Sequence, residues 1–150
     1  KGEIMAKSDG PPKIKKMPKG DHGESVKRGV GVYNTLCITC HLADGKGADN
    51  LAPPLANSDW VTGSTERLIR IALHGVQGPI EVNGSRYRHP EIMPGLGLAL
   101  KDQQIADVLS YIRTAWGGKS QVEEQDVKRV RATHKGRVLP WDVKELLEIK

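Results

Sequence analysis

The residues best equipped for chemistry stand together in "CITCH": Cys37, Cys40 and His41. They include both cysteines of the chain and one of its five histidines. Four chemistries compete for this spacing. A redox dithiol puts its CxxC at a helix start just after a strand; here the cysteines end a helical pattern and no strand pattern precedes them. Structural zinc takes four ligands; Cys37 and Cys40 give two, and the chain has no second CxxC and no HxxxH. Coincidence must explain why all three residues fall within one pentapeptide. Covalent haem attachment is the fourth reading, for which C-x-x-C-H is the known pattern. Two thiols about a turn apart add to the two vinyl groups of a porphyrin, and the adjacent histidine is carried under the iron. The bare motif is only moderately specific among the four.

A haem held this way takes a second axial ligand, usually Met or His. The candidates are Met5, Met17, Met93, His22, His74, His89 and His134. Met93 leads them. It stands in the irregular "EIMPGL", where Pro94 stiffens the backbone directly beside it. A gap-filling core methionine is the bland alternative. His74 and His89 come second, with ordinary surface histidines as their bland reading.

These residues need elements to position them. "KSDGPPKIKKMPKGDHG" (7–23) is rich in Pro, Gly and Lys and predicts an extended leader. A first helix is expected over about Glu24 to Leu36, with Val26, Val30, Tyr33 and Leu36 on one face and Gly29 on the same stripe. Residues 42–59 form a long loop. Ser64 caps a helix to about Leu73, with Leu68, Ile69 and Ala72 inward. "IEVNGSRYR" (80–88) alternates around Asn-Gly and predicts a hairpin. The clearest helix runs from about Lys101 to Ala115, with Ile105, Val108, Leu109 and Ile112 on one face; Gly117-Gly118 end it. Short helices follow at about 123–133 and 141–149.

Aromatic residues make up 4% of the 150 residues, and there is no Phe. So little aromatic bulk suggests a small aliphatic core or one that borrows volume from a planar ligand. The net charge of +5 belongs to the ends. Residues 1–20 hold six Lys against Glu3 and Asp9, whereas residues 21–118 hold nine basic and ten acidic side chains. A nucleic-acid-binding domain would be basic in the middle as well, so that class is set aside. No apolar run reaches the roughly 18 residues of a membrane span, and the residues from Lys1 onward hold no apolar h-region of the kind a secretory signal carries.

Taken together the residues resemble a class I, mono-haem cytochrome c from about Gly23 to Gly117. In that family a Gly and an aromatic on the first helix pack against an apolar residue and an aromatic on the last. Gly29 and Tyr33 match the first pair, and Val108 and Tyr111 the second. Pro53 and Leu55 in "APPL" match a Pro-Leu whose Pro carbonyl accepts a hydrogen bond from the proximal histidine. Met93-Pro94 match the distal Met-Pro pair. The resemblance implies an all-α cytochrome c fold with crossing N- and C-terminal core helices, plus a small hairpin at about 80–88 and a C-terminal helical extension. It divides the chain into a leader (1–22), a haem domain (23–118) and an extension (119–150). It implies one haem c bound through Cys37 and Cys40, with His41 and Met93 on the iron. The expected pocket includes Pro53, Leu55, Trp60, Leu68, Ile69, Leu73, Leu96, Leu98 and Leu109. Trp60 and Tyr87 are candidates to donate to the haem propionates.

A narrower resemblance joins "PPLANSDWV", "LIRIALHGVQGPIEVNG", "MPGLG" and "VLSYIRTAWGG" to bacterial cytochrome c modules that accompany or are fused to dehydrogenases, quinoprotein types among them. It implies a periplasmic electron carrier serving a dehydrogenase or a terminal oxidase or reductase, rather than an enzyme in its own right. A ligand-binding or catalytic haem domain with a displaceable distal ligand is the alternative, and a docking module with an incidental haem is a third.

Overall fold

The computed structural model describes residues 10–49, 51–87, 92–117 and 121–150. Met5, His89, Gly118 and the end of the expected hairpin at residue 88 lie outside them.

A long helical run opens the described fold. It comprises α1 (Gly20–Val32), a π turn (Tyr33–Cys37) and α2 (Ile38–His41). The run starts earlier and ends later than expected. Pro18 cannot continue a helix backwards, but Gly20 can follow it, and Asp21 in the first turn suits the positive end of the helix dipole. Residues 20–22, assigned to the leader, are therefore helical. The π turn widens the helix where a uniform helix was expected. Cys37 reaches the buried face, while Leu36, expected inward, is exposed.

After a loop come α3 (Asp59–Thr62) and α4 (Thr65–His74). Ser58 and Ser64 cap them, each side chain accepting from a backbone N–H two or three residues on. Four short strands follow: β1 (Gly75–Gln77), β2 (Ile80–Val82), β3 (Ser85–Tyr87) and β4 (Met93–Pro94). The chain then forms α5 (Asp102–Trp116), α6 (Glu124–Thr133), β5 (Trp141–Asp142) and α7 (Val143–Leu147). β2 and β3 pair antiparallel through Asn83-Gly84, both at positive φ, as a type I′ turn requires.

The fold is mainly helical, but it is not all-α with a hairpin alone. A second, three-stranded sheet has the order β4-β1-β5. β1 pairs antiparallel with β4 and parallel with β5. Its strands are two or three residues long and lie far apart in sequence, so no local alternation announces them.

The core lies between α1 and α5. Val26 and Tyr33 meet Ile105, Val108 and Ile112, with Ile69 of α4 alongside. Each such aliphatic side chain, fully buried, stabilises by roughly 1.5–3 kcal/mol. The helices touch at Gly29, where a Cβ would run into the Asp107 carbonyl oxygen and come within 2.8 Å of Tyr111 Cβ. Asp107 is buried beside this crossing. It accepts from Ser25 Oγ at 2.7 Å, Arg28 Nε at 2.9 Å and Gln103 Nε2 at 2.8 Å, which offsets the cost of burying a carboxylate. Val122, Val127 and Val130 beyond α5 are fully buried in the same core.

Candidate functional site

The histidine of "CITCH" ends α2, where Leu42 turns the chain at φ 64°. Tyr33 Oη donates to the Leu42 carbonyl at 2.6 Å and holds this turn. The Tyr33 ring lies 5.4 Å from both Tyr111 and Trp116, centroid to centroid. Beyond Leu42 the loop folds back on itself. Gly45 O accepts from the amides of Leu55 and Ala56, and the His41 carbonyl accepts from Gly47 N. Gly45 and Gly47, both at positive φ, lie where a Cβ would strike Trp116 and the carbonyls of Ala52 and Pro53 respectively. The loop thereby brings Pro53 back to the histidine, with His41 Nδ1 3.1 Å from Pro53 O. A carbonyl oxygen only accepts, so Nδ1 carries the proton and Nε2 is the lone-pair nitrogen of the neutral ring.

His41 lines a cleft of about 740 Å³, open mouth included. Its lining is overwhelmingly apolar, and it includes Cys37, Pro53, Leu55, Trp60, Leu68, Leu96, Leu109 and Met93. Among the described residues His41 is its only histidine and Met93 its only methionine. Met93 arrives from β4, whose partner β1 continues directly from α4. The amides of Leu96 and Gly97 then cap the Ala72 and Leu73 carbonyls at 2.8 and 3.0 Å. The carbonyls left over at the end of α4 thus hold the methionine loop. The other ligand candidates within the described residues stay away from the cleft: Met17 is exposed, and His22, His74 and His134 do not line it. His74 Nδ1 instead accepts from Trp141 Nε1 at 3.3 Å.

Several expected lining residues sit elsewhere. Leu98 is fully exposed, because the turn after Gly97 sends Leu96 and Leu100 inward and Leu98 out. Ile69 and Leu73 are buried core residues outside the cleft lining. Tyr87 is not in the lining either and packs on Ile80, Val82 and Val143. The Trp60 indole N–H donates to the Glu81 carbonyl at 2.8 Å and so ties α3 to the hairpin. Conversely, Val61, Val76, Ile80 and Val82 line the cleft without having been assigned to it. For Ile80 and Val82 the signal was available: their alternation with Glu81 puts both on one face of the hairpin.

This donor set separates the four chemistries. Neither cysteine is in a disulfide. Burial, helped by the nearby Cys40, pushes the Cys37 thiol up to about 11, the reverse of the depressed pKa of a reactive dithiol. Among the described residues no three His, Cys, Asp or Glu side chains converge as a metal site, so those residues do not assemble the four ligands of structural zinc. Porphyrin chemistry suits the set: Cys37 and His41 line an apolar cleft, Cys40 is exposed three residues from Cys37, and the imidazole is already oriented by its carbonyl partner. A wider groove between the hairpin and α7 is lined by charges of both signs and has no sulfur or imidazole.

Comparison with known proteins agrees. Residues 26–116 match the cytochrome c family. The chain belongs to the cytochrome c family. Cytochrome c-552 of Thermus thermophilus is 38% identical over 114 residues, covering 69% of this chain and 84% of that protein. The cytochrome c subunit of the quinone alcohol dehydrogenase of Gluconacetobacter polyoxogenes is 38% identical over 109 residues, covering 70% of this chain but 22% of the subunit. The cytochrome c subunit of gluconate 2-dehydrogenase from Pantoea cypripedii is 35% identical over 119 residues, covering 73% of this chain and 25% of the subunit. Membership implies covalently bound haem c and haem-based electron transfer. Among the described residues no helix of this cytochrome c is long and apolar enough to cross a membrane.

Proposed function

We propose that this cytochrome c carries single electrons on one low-spin haem c, attached through Cys37 and Cys40, with His41 and Met93 as axial ligands. Each cysteine S–H adds across one vinyl C=C, so no atom is lost. A haem bound there supplies a ferric/ferrous couple, raised in potential by a methionine ligand relative to a second histidine. The observation that carries the reading is the His41 Nδ1 to Pro53 O bond beside a cleft that Met93 also lines. It leaves Nε2 as the ligating nitrogen and raises its ligand strength. Pro53, Leu55, Trp60, Leu68 and Leu96 exclude water from the ring, and low local polarity keeps the site from reorganising as charge changes. Both axial positions are taken in this reading, which suits electron transfer better than binding of an outside ligand.

Residues 23–118 are the haem-binding unit of this proposal, with 119–150 as an extension whose Val122, Val127 and Val130 are buried in the same core. The dehydrogenase cytochrome subunits among the relatives support a dehydrogenase as electron donor, and covalent haem attachment, which in bacteria takes place outside the cytoplasm, supports a periplasmic location. The test is optical. The holoprotein should give a c-type pyridine haemochrome and, when ferric, a near-infrared sulfur-to-iron band that Met93→Ala abolishes. A high-spin ferrous form that binds CO at neutral pH would overturn the ligation.

A further inference from the structure

The methionine loop is fastened from outside the matched family region. Arg131 on α6 donates Nη1 to Gly97 O at 2.6 Å and Nη2 to Leu100 O at 2.9 Å, while its Nε donates to Asp102 Oδ1 at 2.6 Å. One guanidinium thus joins the end of the Met93 loop to the first turn of α5. A second tether runs through the sheet. Val76 pairs with Met93 on one side and with Trp141 on the other. Trp141 is in turn locked, with Arg137 stacked 3.6 Å over its ring and its indole N–H on His74.

We propose that Arg131 is a positioning residue for the distal ligand: it holds the 93–100 loop closed so that the Met93 sulfur stays on the iron. The role rests on the Met93 ligation proposed above. Three donors in a fixed fork satisfy two loop carbonyls and a carboxylate that water would otherwise solvate. Losing them lets the loop open more often, and an outside ligand competes for the iron in proportion to the open fraction. Lysine offers one compact point charge and cannot reach all three acceptors together.

The probe is imidazole, titrated into the ferric holoprotein while the near-infrared band is followed, with the midpoint potential measured beside it. Arg131→Ala, which removes all three hydrogen bonds, should bind imidazole about tenfold more tightly, and its potential should fall. Arg131→Lys should lie between it and the parent. Arg129→Ala is the control: it removes an ion pair to Glu66 from the same helix without touching the loop, and it should match the parent. Imidazole affinity and potential unchanged in Arg131→Ala, with the band present in the parent, would overturn the positioning role alone. Equal effects of Arg131→Ala and Arg129→Ala would also overturn it, as general loosening of α6. A parent without the band would overturn the Met93 ligation, and the positioning role with it.

Discussion

The two walls that supply His41 and Met93 are built in opposite ways. On the histidine side the decisive bonds are short in sequence: Tyr33 to Leu42, Gly45 to Leu55, His41 to Pro53. One helix end and the loop behind it complete the geometry. On the methionine side they are long. Met93 pairs with Val76, Val76 pairs with Trp141, and Arg131 closes on Gly97 and Leu100. Local closure costs little chain entropy and long closure costs more. The hydrogen bonds of the histidine wall can therefore form within its own segment, with Tyr111 and Trp116 of α5 packing on the Tyr33 ring, whereas the methionine wall needs α4, α5 and α6 in place first. Of the two proposed ligands, the one expected to let go first is accordingly Met93.

Gly29→Ala should act on both walls at once, because the α1–α5 crossing underlies them. An added Cβ there meets backbone and the Tyr111 Cβ, and overpacking of this kind costs about 3 kcal/mol. Urea unfolding followed by circular dichroism and by Soret absorption should shift together. Gly75→Ala should separate the walls. Gly75 sits at φ 86°, with its Cβ direction aimed at the Met93 carbonyl, so about 2 kcal/mol of strain falls on the methionine side. The near-infrared band should weaken while the covalent haem spectrum persists. Tyr33→Phe strikes the histidine side instead. It leaves a turn carbonyl short of one partner, for about 1.5 kcal/mol, and the global midpoint should drop with the band intact at room temperature.

Acid should loosen the methionine side more gently. Burial lowers the pKa of both His74 and His134. Arg137, His134, Arg131 and Arg70 add to it for His74, and Arg70 and Arg137 for His134. The unfolded chain then binds more protons than the folded one, so this stability is complete above the ordinary value of 6.5 and is lost as pH falls below it. Protonated His74 Nδ1 also ceases to accept from Trp141. Denaturation midpoints measured from pH 7.5 to 5 should fall, and replacing both histidines by Gln should flatten that slope. Lys27→Ala marks the floor of the series. Its exposed pair with Glu24 contributes about 0.3 kcal/mol, so the midpoint should barely move.

The difference between the walls also governs what could be read without coordinates. Pro53 was singled out by the family resemblance, and its carbonyl lies 3.1 Å from His41 Nδ1. Cys37, Cys40 and His41 stood out because their relation is a spacing, and a spacing survives folding. The Asn-Gly hairpin and the Ser64 cap were legible for the same reason. The π turn was not, since nothing in "YNTLC" prefers a widened turn over an α-helical one; it follows from where Tyr33 and Cys37 must pack. The three-stranded sheet was not, because strands of two or three residues carry no period. Leu98 misled because a leucine in "GLGLAL" has equal claim to either side until the Leu96 and Gly97 amides choose their partners on α4.

The amino-acid sequence by itself determined the thiols, the imidazole, the Asn-Gly turn and the apolar stripes of the long helices, all properties of residue type and local period. The tertiary structure alone decided which carbonyls Arg131 would close, that Trp141 would reach the strand that carries Met93, and which of the many apolar side chains line the cleft. Those are contacts between residues dozens of positions apart. Their energy depends on where helices cross, and no local preference of the chain encodes that.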